Sequence, residues 1–465
     1  MRDLIRREIW FFAVATAAAV GLRLLFIYRF PGVTIDSFVY GDIAKNWLQH
    51  GVYGLSGPYE ISPTYIRLPG YPAFLAAVFA IFGIEHYRAV LMVQLFVDVG
   101  TCFLIADITR RIISVRAAKA AFVLAALCPF LADYSAAALT ETLEIFFTTL
   151  AFDCAIYGLE TSDGRRISPW IGCGSSIGAA ILLRPDGGLL VFTLLLYLSL
   201  LIIRRIQTQR SFSHLVYAGL IVIAISLAPL VAWGLRNQHT LHRFEPLAPR
   251  YANEPDEFVP MGFNRWMKTW VIDYASVEEI YWPVPGDKVD AAKLPERAFD
   301  SALQRSVTMH LWDDYNEVER VNPELDQRFA ALANERIARA PLRYYLWLPA
   351  ARIADMWFRP RTEKLPADSR WWEFNDDTKW SALAIALGLI NFAYITGAFI
   401  ALLGRRPRLY LSLLVTFVFV RSVFLSTLEN PEPRYTLECY SVVIIVAAGL
   451  FSGKGQPPLA KGDRL

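Results

Sequence analysis

The sequence has few charged residues, and this shortage already excludes most classes of soluble protein. Charged residues make up 19% of the chain and hydrophobic residues 55%, whereas about a quarter of a soluble domain is charged. This composition indicates a membrane protein. The formal net charge is only +3, and no block of Lys and Arg alternates with aromatic residues, so we expect no nucleic-acid partner.

Cysteine and histidine are also scarce, and a glycine-rich phosphate loop is missing. The five cysteines and six histidines form neither a Cys-x-x-Cys pair nor a zinc-ligand spacing. We interpret the cysteines as small buried hydrophobic residues. Since no glycine-rich loop follows a strand pattern, we expect no nucleotide site of that type.

Long apolar runs are plentiful. A membrane-spanning helix needs about 20 mostly apolar residues, and we predict about ten spans on that basis. They are residues 9–28, 86–109, 117–137, 142–159, 169–183, 187–203, 214–235, 380–403, 409–427 and 436–452. A further apolar stretch at 69–83 reaches only about 22 Å as a helix, so we expect it to lie along the membrane interface or dip into it.

Basic residues predict the orientation, because short cytoplasmic loops are enriched in Lys and Arg. With the N-terminus inside, every basic cluster falls on the cytoplasmic side, and both chain ends are predicted to be cytoplasmic. The clusters are Arg2/Arg6/Arg7, Arg110/Arg111/Arg116/Lys119, Arg165/Arg166, Arg204/Arg205/Arg210, Arg405/Arg406/Arg408 and Lys454/Lys461/Arg464. We therefore predict a multi-pass protein of the cell inner (cytoplasmic) membrane. The first apolar run lacks a small-residue cleavage site, and we expect it to be retained.

The loop after the first span contains VTIDSFVYGDIAKNW, residues 33–47. Its apolar residues recur at helical spacing against Asp36 and Asp42, which predicts an amphipathic helix at the membrane interface. Asp36 and Tyr40 are four residues apart and so share one side of this helix. The pattern predicts a carboxylate held at the boundary between water and lipid.

The loops predicted to face outside resemble those of the GT-C superfamily of membrane glycosyltransferases. The resemblance is strongest to the branch of the protein O-mannosyltransferases and the lipid A aminoarabinose transferase. The motifs that carry it are VTIDSFVYGDIAKNW, RLPGYP at 67–72, LTETLEIFF at 139–147, LRP at 183–185 and NPEPRY at 430–435. It implies an all-α polytopic GT-C fold, with interfacial helices in the first outer loop and a mixed, mainly helical outer cap.

The resemblance also implies a function and assigns residues to it. The expected activity is that of an inverting glycosyltransferase, which moves a sugar from a polyprenyl-phosphate donor to an acceptor hydroxyl on the extracytoplasmic face. Asp36 matches the catalytic acid of the first loop, although the family usually has Asp-Glu there and Ser37 follows here. Arg67 matches a basic residue that faces the donor phosphate, and Arg434 matches a late Arg-Tyr of the same site.

The chemistry supports this assignment independently. Such a transfer needs a base for the acceptor proton and cations for the charge that develops on the departing phosphate. The further substrate-binding candidates are Tyr40, Asp42, Arg88, Glu141 and Arg184.

Most candidates have a structural alternative that the sequence leaves open. Asp36 could cap its helix, Asp42 could be a solvated residue or could orient Asp36 or a basic group, and Tyr40 could anchor in the interface. Arg67 and Arg88 could extend to lipid headgroups. Glu141 could be favoured by the helix dipole, and Arg184 could simply pair with a neighbouring acid. No cofactor is expected, although a divalent ion on Asp36, Asp42 and Glu141 remains an alternative.

We predict three segments. They are a transmembrane module at 1–235 with its catalytic loop at 29–85, an extracytoplasmic cap at 236–379, and C-terminal transmembrane helices at 380–465. Within the cap, Asn322 and Pro323 predict the start of a helix, and Pro341 its end.

The predicted partners are the lipid-linked donor, membrane lipids and an acceptor of unknown class: lipid, polysaccharide or protein. The main alternative function is a transporter or flippase of a lipid-linked sugar. Transporters place ionisable residues at mid-membrane and show half-repeats, whereas here the acids of the outer motifs sit at span ends and the halves differ.

Overall fold

The computed structural model describes residues 1–161, 166–375, 377–404 and 410–452. It divides into two compact units. The first comprises Met1–Pro255, Ala393–Val418 and Leu437–Leu465, and the second Asp256–Phe392 and Phe419–Thr436. The two units are defined by how the chain packs, whereas the three predicted segments are defined by their composition. The division into three segments stays a prediction. Three groups of predicted cytoplasmic residues lie outside the described residues: Arg165, the arginines at 405–408 and the basic residues of the tail.

Almost all the regular secondary structure of the described residues is helical. Helices α1 to α11 are Arg2–Arg7, Ile9–Arg29, Ile35–His50, Gly70–Phe82, Tyr87–Ile112, Val115–Ala126, Pro129–Ser135, Glu141–Glu160, Ser168–Leu183, Gly188–Gln207 and Ser213–Leu241. Helices α12 to α19 are Met261–Met267, Tyr274–Ser276, Ala302–Val318, Pro323–Arg339, Leu348–Phe358, Thr378–Leu403, Leu411–Leu425 and Tyr440–Ala447. Strands β1, Gly54–Ser56, and β2, Ile61–Pro63, form an antiparallel hairpin.

The predicted polytopic architecture is confirmed, and each of the ten predicted spans contains a helix. Within the described residues, seven helical segments are long and apolar enough to cross a membrane, and a bent pair of helices makes an eighth. The remaining two predicted spans are α9 and α18, with 16 and 15 residues. Both are apolar but shorter than the seven. The stretch at 69–83, predicted not to cross, forms the short helix α4 of 13 residues.

The bent pair replaces the single straight span predicted at 117–137. Helices α6 and α7 meet at an angle of 51°, with Cys128 and Pro129 at the junction. A proline has no backbone N–H and its ring clashes with the preceding turn, so a helix does not continue through it unbent.

An ion pair lies among the spans of the first unit. The Arg23 Nε of α2 donates to Asp98 Oδ2 of α5 at 2.6 Å, and both side chains are buried. The same guanidinium also donates to the carbonyls of Ala19, Ala125 and Ala126. A charge among apolar helices needs such partners. The pair therefore connects α2 to α5 and α6.

Helix α3 packs against neighbouring helices of the first unit with almost no clearance. The Tyr87 hydroxyl, at the start of α5, donates to the Ser37 carbonyl at 3.2 Å. A Cβ built on Gly41 would lie 1.9 Å from the same hydroxyl oxygen. Only a glycine lets the tyrosine approach this closely. The contact fixes the position of the helix that carries Asp36.

The second unit has an aromatic core. Helices α12, α14 and α15 enclose Trp266, Trp270, Trp312 and Phe329, which are all fully buried. Helix α15 confirms the predicted start, because the Asn322 side chain accepts the Leu325 backbone N–H at 2.9 Å and Pro323 is the first helical residue. It ends at Arg339, before the predicted break at Pro341.

Candidate active site

The predicted catalytic acid forms an ion pair with the predicted phosphate-binding arginine. Asp36 lies in the first turn of α3, and Arg67 lies in the loop between β2 and α4. The Arg67 Nη2 donates to Asp36 Oδ1 at 2.9 Å. Their side chains are 41% and 20% exposed, for Asp36 and Arg67 respectively. The structure thus brings together two predicted residues that are 31 positions apart, and we refer to them as the aspartate–arginine pair.

Asp36 does not cap its helix. The N-cap residue of α3 is Thr34, and the Ser37 hydroxyl accepts the Thr34 backbone N–H at 3.0 Å. This is the return bond of a capping box, in which Glu or Gln more often holds the position that Ser37 holds here. Ser37, which stands where the family usually has Glu, therefore holds a capping position. The Asp36 carboxylate takes no part in this cap and pairs with Arg67 instead.

The Tyr40 ring contacts the arginine of the aspartate–arginine pair. The Arg67 guanidinium carbon lies 5.5 Å from the centroid of the Tyr40 ring, and this ring meets Tyr71 edge-on at 5.1 Å. Burial raises the pKa of the Tyr40 hydroxyl, although the positive charge of Arg67 acts in the opposite direction. The phenol therefore stays protonated at neutral pH, and its ring holds the guanidinium by a cation–π contact.

The backbone around Arg67 is fixed by a second arginine that the sequence analysis did not identify. Arg236, near the end of α11, donates to the carbonyls of Thr64 at 2.9 Å and Tyr53 at 2.8 Å. The Tyr53 hydroxyl in turn donates to the Arg67 carbonyl at 2.9 Å. A basic residue at the outer end of a predicted span goes against the usual charge distribution, and that signal could have identified Arg236.

Asp42 anchors the hairpin. Its carboxylate accepts the Ser56 N–H and the Ser56 hydroxyl, each at 2.7 Å, and lies 3.2 Å from Lys45. Burial raises the pKa of Asp42, but the two Ser56 hydrogen bonds and Lys45 outweigh it and lower the pKa below its ordinary value. Asp42 and Asp36 are six residues apart, which is about 120° around a helix, so the two carboxylates do not share one side of α3. The contacts of Asp42 with Ser56 and Lys45 are structural, and its substrate-binding role stays a prediction.

Arg184 lies between α9 and α10 among several carboxylates. Its guanidinium is 3.5 Å from Glu141, 3.6 Å from Glu144 and 3.3 Å from Asp186. Glu141 and Glu144 are buried in the first turn of α8, where the helix dipole favours a negative charge. Arg184 and Glu141 also act electrostatically on the Tyr40 hydroxyl. This cluster therefore lies within electrostatic reach of the aspartate–arginine pair.

Two other predicted residues have different surroundings. Arg88 is exposed at the start of α5, with its guanidinium 4.7 Å from the centroid of the Tyr28 ring. Arg434 belongs to the second unit, where its Nε lies 2.7 Å from Glu432 and its guanidinium 5.3 Å from the Tyr435 ring. The substrate contacts of both stay predictions.

The described part of the chain has no group of three His, Cys, Asp or Glu side chains arranged to hold a metal ion. Asp36 is paired with Arg67, and Asp42 with Ser56 and Lys45. A divalent ion on Asp36, Asp42 and Glu141 stays an untested alternative.

The comparisons confirm the predicted resemblance to the GT-C superfamily. The family model described as dolichyl-phosphate-mannose-protein mannosyltransferase matches residues 63–233. That range includes Arg67, Arg88, Glu141 and Arg184. Asp36, Tyr40, Asp42 and Arg434 lie outside it.

Solved structures with similar folds come from an archaeon and a bacterium. The oligosaccharyltransferase AglB of Archaeoglobus fulgidus, in complex with an inhibitory peptide and a dolichol-phosphate, has a TM-score of 0.50 and 12% identity over 96% of this chain and 50% of its own. The Archaeoglobus fulgidus oligosaccharyltransferase with Zn and sulfate has a TM-score of 0.50 and 14% identity over 94% and 48%. ArnT from Cupriavidus metallidurans, bound to undecaprenyl phosphate, has a TM-score of 0.43 and 14% identity over 96% and 78%.

At these identities the similarity to the two archaeal structures establishes the fold alone. The chain spans about half the length of the archaeal structures it matches. No protein of curated function matches the sequence significantly.

Proposed function

We propose that this protein is an inverting glycosyltransferase that moves a sugar from a polyprenyl-phosphate donor to an acceptor hydroxyl on the extracytoplasmic face of the membrane. The observation that carries the proposal is the aspartate–arginine pair, partly exposed and 2.9 Å apart. It combines the two groups that this transfer needs, a base and a cation. The matched mannosyltransferase family and the dolichol-phosphate bound to the archaeal relative support the donor class.

The reaction follows from the chemistry of these two side chains. The acceptor oxygen attacks the anomeric carbon and gives its proton to the Asp36 carboxylate. The bond between that carbon and the phosphate oxygen breaks, and its electron pair leaves with the polyprenyl phosphate. Arg67 compensates the charge that develops on the phosphate, as an arginine is suited to do. Because one displacement occurs, the configuration at the anomeric carbon inverts.

A transfer assay tests this proposal. Purified protein in lipid nanodiscs receives a panel of radiolabelled polyprenyl-phosphate sugars, with membrane extract as the acceptor. We expect transfer from at least one donor, release of polyprenyl phosphate, and a product whose anomeric configuration is opposite to that of the donor, as cleavage by anomer-specific glycosidases would show. A product with retained configuration contradicts the inverting mechanism.

The buried Arg23–Asp98 pair favours a second candidate, the transporter or flippase. Ionisable groups inside the membrane often mark a transport pathway. Here the Arg23 guanidinium is also bonded to three backbone carbonyls, which is typical of a structural tie. If no donor in the panel is used, and the protein instead moves a labelled lipid-linked sugar across liposome membranes, the transporter is the correct function.

The proposed orientation can be tested by cysteine labelling. Tyr59 is fully exposed in the loop between β1 and β2, and four of the five native cysteines are buried. We expect Tyr59→Cys to react with a membrane-impermeant maleimide in intact cells. The control is Arg166→Cys, which is exposed on the predicted cytoplasmic side and should react only after permeabilisation. The reverse pattern would show that the proposed orientation is wrong.

A further inference from the structure

The second unit contains a pocket that the proposed transfer reaction does not explain. Its volume is about 330 Å³, near the lower end for small-molecule sites. Aromatic and charged side chains share its wall. Among the lining residues are Arg297, Asp355, Arg359, Arg370, Trp371 and Trp372.

Two adjacent tryptophans form the aromatic part of the pocket. The Trp372 side chain is 45% exposed, and its ring meets Trp371 nearly perpendicularly, with 5.6 Å between the centroids. The Arg359 guanidinium lies 5.4 Å from the centroid of Trp372. The indole N–H of Trp371 is buried and meets no acceptor among the described residues. The pocket thus offers an accessible aromatic surface at Trp372.

The charged groups of the pocket neutralise one another. Arg297 forms an ion pair with Asp273 and donates to the Ser276 hydroxyl at 3.1 Å. Arg359 lies 3.7 Å from Asp355.

Arg370 holds the carboxylate of Glu279 with two hydrogen bonds, of 2.9 and 2.7 Å. Each arginine therefore has its own carboxylate, and the pocket has no surplus of positive charge for an anion. It offers many fixed hydrogen-bonding groups instead.

This combination suits a neutral sugar ring. A pyranose has an apolar face of C–H groups, which packs on an aromatic ring, and a rim of hydroxyls that both donate and accept hydrogen bonds. Paired carboxylates and guanidinium groups can serve such hydroxyls without moving, since each retains free acceptor or donor positions. The volume is sufficient for a monosaccharide unit and too small for a long oligosaccharide.

We propose that this pocket binds a neutral hexopyranose unit of the acceptor, so that the acceptor is a saccharide-bearing molecule. The assignment to the acceptor rests on the proposed glycosyltransferase function. The binding of the sugar itself does not, and it can be measured without any donor.

The test uses the full-length protein in lipid nanodiscs and saturation-transfer NMR with a panel of methyl hexopyranosides. We expect at least one glycoside to receive saturation from the wild-type protein. Trp372→Ala should weaken its binding at least about tenfold, because it removes the aromatic surface. The matched control is Trp282→Ala, since Trp282 is also 45% exposed in the same unit but does not line the pocket; this variant should bind like the wild type.

The outcomes are distinct. If no glycoside receives saturation, or if Trp372→Ala binds as well as the wild type, the proposal is overturned; a role of the tryptophans in contacting lipid headgroups would then explain their exposure. An Asp36→Asn variant should bind the glycoside normally. Glycoside binding is measured without any donor. Failure of the transfer assay together with normal glycoside binding would thus reject the enzyme and retain the sugar site.

Discussion

Asp36→Asn should reduce the rate of sugar transfer by roughly 10²- to 10⁴-fold, the usual contribution of a general base. The amide has the shape of the carboxylate but cannot take up the acceptor proton. Initial rates at saturating donor would measure the loss. The matched control is Glu60→Gln, which neutralises an exposed carboxylate at the edge of the hairpin in the same loop and should transfer at the wild-type rate.

The stability of the Asp36→Asn protein should hardly change. Its partner Arg67 and Asp36 itself are both partly exposed, and an ion pair of this kind contributes about 0–1 kcal/mol. An unchanged melting temperature beside a large loss of rate would separate chemistry from folding. A variant that keeps more than about a tenth of the wild-type rate would be incompatible with Asp36 as the base.

Arg67→Ala should lower kcat/KM for the donor by roughly 10²- to 10³-fold, as the removal of one charge-stabilising donor does in other enzymes. The loss should appear partly in the KM for the lipid donor, because Arg67 is proposed to contact the phosphate before and during transfer. Arg67→Lys should recover part of the activity. A lysine keeps the charge but loses the planar contact with Tyr40 and the fork that binds two oxygens.

The control for Arg67 is Arg29→Ala. Arg29 is exposed at the end of α2, so this variant removes a positive charge near the same loop but not the proposed phosphate contact. Equal losses for the two alanine variants would mean that general charge, and not the position of Arg67, attracts the donor. A wild-type kcat/KM for Arg67→Ala would reject the proposed role of this arginine.

Much of the membrane domain could be predicted because hydropathy is a local property. Runs such as 187–203 and 380–403 are helical in the structure with small shifts of their ends. The predicted cap of α15 is also local, and Asn322 forms it as expected. The bend between α6 and α7 was missed because hydropathy continues through Pro129 while the backbone does not.

The site was only partly accessible to sequence reasoning. Asp36 and Arg67 were proposed separately, but their direct contact depends on how α3 and the loop before α4 fold together. Arg236 was missed because its hydrogen bonds go to distant backbone carbonyls, which no spacing rule predicts. Asp98 lies in the middle of a predicted span, whereas the acids identified from the sequence lie at span ends.

The resting contact between Asp36 and Arg67 has a kinetic consequence. While the guanidinium donates to Asp36 Oδ1, this oxygen is not available to take a proton from a water molecule that enters the loop. In the proposed reaction, an incoming donor phosphate would compete for the same guanidinium and release the carboxylate. The lipid donor would therefore bind first, and the carboxylate would become available to the acceptor only after that.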